Sequence, residues 1–143
     1  MNPGEVHRHA AFYRNPETGE LEPKYLVALA RTPGDDVVAR LLTSRPHGRR
    51  ESPPCFHGLP YPGFFLGVLG APLSAKSWID LRYLDDLDSV DAARLKRLGV
   101  LNLVTHLPAE TFAEVLDCAA AADDTTRAQE NCLRDQLAKL RSQ

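Results

Sequence analysis

The chain has 143 residues, 43% hydrophobic and 25% charged, with a formal net charge of -2, which is one domain's worth of sequence and excludes a disordered chain. No window approaches the roughly 20 apolar residues of a membrane span, and the first residues carry Pro, Glu and His where a secretory signal needs an apolar run. The three cysteines Cys55, Cys118 and Cys132 are odd in number, far apart and without a CxxC pair, which argues against a disulfide framework and a zinc site; a reducing, cytoplasmic location with no metal and no cofactor is expected.

Gly4-Glu5-Val6 and Ala11-Phe12-Tyr13 read as short strand pieces. Asn15-Pro16-Glu17-Thr18-Gly19 is made of turn formers, so a hairpin is expected there. Lys24 to Ala30 is short, apolar and closed by Thr32-Pro33-Gly34-Asp35-Asp36, which predicts a buried strand. Val37 to Ser44 supplies an antiparallel partner, and the pairing brings Lys24, at one strand's start, beside Thr43 and Ser44, at the other's end.

Arg45 to Pro62 holds five prolines and cannot form a regular central strand. A loop of this length inside a compact domain is the first place to look for binding. Gly63 to Leu69 and Ser77 to Leu81 read as further strands around a turn at Gly70-Ala71-Pro72. The spacing then changes. Leu84, Leu87, Val90, Leu95 and Leu98 predict one or two short helices ending at Gly99. A last helical region opens near Pro108, with Phe112, Val115, Leu116 and Ala119 on one stripe and Leu133, Leu137 and Leu140 on another. These stripes suit the sheet or a partner subunit equally. The chain is expected to be one domain over 1–143, mainly β in 1–82 and mainly helical in 83–143.

Residues 1–82 carry ten Lys/Arg against eight Asp/Glu, and the remainder seven against eleven. The one basic cluster is Arg40, Arg45, Arg49 and Arg50 with His47 among them, a set that can hold phosphates or simply be solvated. His57 follows in the same loop, and an imidazole of ordinary pKa about 6.5 suits acid or base work. His7, His9 and His106 have no evident companions. Asp80, Asp85, Asp86, Asp88 and Asp91 resemble a metal-dependent nuclease cluster, but Asp85 to Asp91 fall where a helix begins and acids there complement its dipole, so no metal is expected. Gly63, Gly67 and Gly70 lack the Lys and helix of a phosphate loop. Cys55 with His57 is a weak nucleophile motif, because near neighbours on an extended segment rarely aim together. Phe64, Phe65 and Trp78 read as core.

Taken in order, Gly4-Glu5-Val6, the strand opening Lys24-Tyr25-Leu26-Val27-Ala28-Leu29, and the strand closing Leu41-Leu42-Thr43-Ser44 begin a series. It continues through Ser77-Trp78-Ile79 to Leu87-Asp88, then Arg94-Leu95 and Leu98-Gly99-Val100-Leu101. In these markers the chain resembles the PemK/MazF family of toxin endoribonucleases over most of its length. The resemblance implies an α+β fold, a small SH3-like antiparallel β-barrel with C-terminal helices. It also implies a homodimer, single-stranded RNA as substrate, cleavage without metal, and an antitoxin protein as partner. An Arg and a Thr carry much of the family's chemistry; here Lys24 stands in place of the Arg and Thr43 matches the Thr, with Ser44 as a second hydroxyl. Lysine is a point charge where arginine is a planar fork, so the phosphate grip differs.

The candidate catalytic set is therefore Lys24, Thr43, Ser44 and His57, and the candidate RNA-binding set is Arg40, Arg45, His47, Arg49 and Arg50. The alternative is a non-catalytic binding protein that engages a protein or nucleic acid through the 45–62 loop.

Overall fold

A computed structural model describes residues 1–143. In chain order its elements are β1 (Glu5–Arg14), β2 (Leu21–Arg31), β3 (Val37–Thr43), β4 (Cys55–Phe56), β5 (Gly63–Gly67) and β6 (Ser77–Asp80). Then come α1 (Ser89–Arg97), β7 (Leu101–His106), α2 (Ala109–Ala121) and α3 (Arg127–Arg141).

The turn between β1 and β2 forms because Asn15 Oδ1 accepts from the backbone N–H of Glu17 at 2.8 Å, the Asx geometry expected of that segment. The two predicted strand pieces before it are one strand, with a register shift between His9 and Tyr13. All pairings are antiparallel and the strand order is β4-β5-β6-β3-β2-β1-β7. The ladder is linear, with β4 and β7 at its edges, so the α+β class holds while the sheet is open where a closed barrel was expected. β4 is two residues long and follows Pro53-Pro54, which have no N–H to donate, so it offers too little ladder to close the sheet.

Alternation along β2 and β3 sends side chains to both faces. Val27, Leu29, Val38 and Leu42 join Ile79 and Leu81 in a main core, covered by Phe112, Val115 and Leu116 of α2 and Leu133 and Leu137 of α3. Leu26, Ala28, Val37 and Ala39 form a smaller core on the other face, against which Phe12, Leu84 and Leu87 pack. The helical stripes are thus consumed by the chain's own sheet, and they give no support to a partner subunit.

Two parts of the second half differ from expectation. β7 is a strand in a region read as helical, and it pairs with β1. Leu84 and Leu87 precede the helix: Leu87 bridges to Val37, and α1 starts only at Ser89, where Asp88 caps it by accepting from Asp91 N–H at 2.9 Å.

Candidate functional site

The register that pairs Leu26 with Leu41 sets Lys24 opposite Thr43 when continued to the strand ends. Both line a surface cleft of about 430 Å³, together with Ser44, Arg45 and His47 from the start of the long loop and Ser74 and Ser77 from the far side. Tyr13 and Tyr25 complete its walls. No Asp or Glu lines it.

Lys24 has no carboxylate partner; its Nζ lies 5.5 Å from the centroid of the Tyr13 ring, within cation–π range. Thr43 Oγ1 accepts from Arg45 N–H at 3.1 Å, which fixes the hydroxyl and leaves its proton free to donate. His47 is exposed, with its ring 6.0 Å from that of Tyr61. The cleft therefore offers two permanent cations, several hydroxyls and one imidazole to a ligand, an arrangement that suits a phosphate.

The other predicted residues lie elsewhere. Arg40 points into the core with no exposed surface; it donates to Ala39 O at 2.8 Å and to Gln129 Oε1 at 2.8 Å, and Gln129 in turn donates to Asp86 Oδ1 at 2.8 Å. Burial lowers its pKa, with Asp86 pulling the other way. It cannot touch RNA. Arg49 is 5% exposed and lies over the Tyr61 ring at 4.2 Å, with Arg82 over the same ring at 3.8 Å. Gly63 makes room for it, since a Cβ there would meet Arg49 Cδ at 2.7 Å. Arg49 therefore clamps the loop and is removed from the RNA-binding set. Arg50 is exposed, does not line the cleft, and accepts Trp78 Nε1–H on its carbonyl at 3.3 Å.

His57 does not line the cleft either. Its Nε2 lies 2.9 Å from Cys118 O, one of the carbonyls that the C-terminus of α2 leaves unpaired. Cys55 and Cys118 are joined by a disulfide, with Cα atoms 5.8 Å apart, contrary to the expectation drawn from the cysteine count. Three cysteines forbid a full set of pairs but not one pair, and contact across 63 residues leaves no trace in local spacing. The reducing compartment inferred from that expectation loses its premise. No helix is long and apolar enough to cross a membrane.

His7 and His106 share a companion, Glu5, that sequence did not reveal. His7 Nε2 lies 3.8 Å from Glu5 Oε1 and His106 Nε2 lies 3.6 Å from Glu5 Oε2. His7 is fully buried with neither ring nitrogen hydrogen-bonded, and burial lowers its pKa to about 4. The acids each have local work: Asp80 pairs with Arg82 at 2.7 Å, Asp85 accepts from Tyr83 at 2.6 Å, and Asp91 approaches Arg94 at 3.5 Å. The chain matches no protein-family model, no curated protein and no solved structure.

Proposed function

We propose that the chain grips a backbone phosphate of single-stranded RNA in the cleft at the ends of β2 and β3, and cuts the strand there without a metal ion. The observation that carries this reading is the make-up of the cleft: Lys24 and Arg45 beside the hydroxyls of Thr43 and Ser44, with no carboxylate to repel a phosphate or occupy the cations.

In such cleavage the 2'-oxygen attacks phosphorus and gives up its proton, while the bond to the 5'-oxygen breaks and that oxygen takes one up. The products are a 2',3'-cyclic phosphate and a 5'-hydroxyl. Lys24 offsets the charge gathering on the phosphorane and Thr43 donates to one of its oxygens. His47 is the one imidazole lining the cleft, and imidazole is the side chain suited to proton transfer, so it takes the proton-carrying role in place of His57. On the same reading the chain is a PemK/MazF-like toxin of the cytoplasm, a homodimer neutralised by an antitoxin protein, and its sheet is an opened form of the SH3-like barrel.

A second reading, binding without cleavage, is favoured by Lys24 in place of a bidentate arginine and by the withdrawal of Arg40 and Arg49 from the surface. Incubating the purified chain with mixed-sequence single-stranded RNA in EDTA separates the two. Cleavage that is lost in a His47→Ala protein still able to bind RNA supports the enzyme. RNA bound but intact supports the binding protein, and no binding contradicts both.

A further inference from the structure

Cys55 opens β4 and His57 directly follows it; contrary to the sequence expectation that the two would not aim together, residues two apart on an extended segment leave the same face, and that face meets Cys118 on the inner side of α2. The result is a compact group: the ligand atoms of Cys55, His57 and Cys118 all lie within 4.8 Å of one another. His57 Nε2 is 3.5 Å from Cys55 Sγ and 3.5 Å from Cys118 Sγ. A tetrahedral zinc ion with bonds of about 2.3 Å to sulfur and about 2.0 Å to nitrogen sets its sulfur and nitrogen ligands about 3.5 Å apart. The imidazole is thus already placed for a shared ion. His57 is exposed, which leaves the fourth position to water, while Cys118 is buried at 3% exposure.

We propose that, once the disulfide is reduced, Cys55 Sγ, Cys118 Sγ and His57 Nε2 bind a zinc ion, and that the ion and the disulfide are alternative clamps of the long loop onto α2. The chemistry balances. A soluble dithiol gives two electrons and two protons to the protein disulfide and becomes a disulfide itself. Zinc then displaces the two thiol protons to solvent, and the proton that His57 Nε2 donates to Cys118 O passes through solvent to Nδ1, which frees the Nε2 lone pair for the metal. In reverse, a soluble disulfide takes two electrons from the thiolates and leaves as two thiolates, the Sγ–Sγ bond forms, and the ion is freed. The ion and the disulfide therefore exclude each other, which makes the clamp sensitive to redox conditions.

The test uses the full chain, reduced anaerobically and freed of reductant, titrated with cobalt(II) as a visible stand-in for zinc. The expected result is one equivalent bound, with thiolate-to-cobalt charge-transfer absorption and tetrahedral ligand-field bands that zinc then bleaches. The oxidised chain gives no such spectrum. Cys132→Ser leaves the spectrum unchanged, while Cys55→Ser abolishes it and His57→Ala weakens binding by more than about tenfold, the low end for loss of even an outer partner. Circular dichroism confirms that each variant is folded, and Cys55 and His57 lie outside the helix, so the comparison survives should Cys118→Ser unfold. A colourless titration of the reduced chain, or a spectrum that persists in folded Cys55→Ser and His57→Ala proteins, overturns the proposal.

Discussion

Lys24 meets an aromatic ring instead of an acid, so its charge is left for a ligand. The proposed contact with an RNA phosphate would show as salt dependence: Lys24→Ala is expected to reduce the slope of log affinity against log salt by about 0.7, the value for one phosphate contact on a single strand. A slope equal to the parent's would mean that Lys24 does not touch the backbone. His7 carries a different consequence. Its pKa is lowered to about 4 in the folded chain by burial, against about 6.5 unfolded, so between these values the unfolded chain holds the extra proton and stability rises with pH. Acidification through this window should cost about 3 kcal/mol at most through His7. His7→Leu should lose that part of the acid sensitivity, read from urea unfolding at about pH 7 and about pH 4; the same difference in parent and variant would contradict it. Lys24 and Thr43 were legible in the sequence because a hairpin register carries them to one place. Arg40 and Arg49 were not, because what buries them is remote: Gln129 for one, Gly63 and Tyr61 for the other.

Among the elements, β3, α3 and the segment before α1 are tied by the chain from Arg40 to Gln129 to Asp86. Gln129 is 3% exposed and also donates to Leu84 O at 3.1 Å, so it fastens a stretch with no secondary structure of its own. Gln129→Leu should cost about 1.5 to 3 kcal/mol, since it strips a charged donor of its acceptor inside the core. The double variant Gln129→Leu with Arg40→Met should cost less than the sum of the two single changes. Denaturant unfolding of the four proteins measures this, and strict additivity would refute the link. The strands β2 and β3 could be read from continuous apolar runs bounded by turn formers, and α2 and α3 from stripes at helical spacing. β7 could not: Leu101-Asn102-Leu103-Val104-Thr105-His106 has strand alternation, but it is short and lies between two helices, and only its pairing with β1 defines it. Leu84 and Leu87 match helical spacing by coincidence, as each fills the smaller core from an irregular segment.

For the whole molecule, the open sheet with two helices on one face leaves the ends of β2 and β3 exposed, and the cleft lies there. The long loop contributes Arg45 and His47 to that cleft at its start, then is closed on itself by Arg49 on Tyr61 and held to the rest of the chain by Arg82 on the same ring and by Cys55 on Cys118. Its division into a free beginning and an anchored remainder was invisible in composition, because arginine serves both parts. In the proposed function Lys24 and Thr43 act together on an RNA phosphate. The most direct measurement is the rate at which EDTA-treated protein cuts a single-stranded RNA, compared between the parent chain and the folded variants Lys24→Ala and Lys24→Arg. The parent is expected to cut to 2',3'-cyclic phosphate ends, Lys24→Ala to be slowed by about 10² to 10³, as for loss of one charge-stabilising donor, and Lys24→Arg to match or exceed the parent. A folded Lys24→Ala protein that cuts at the parent's rate would contradict that joint role.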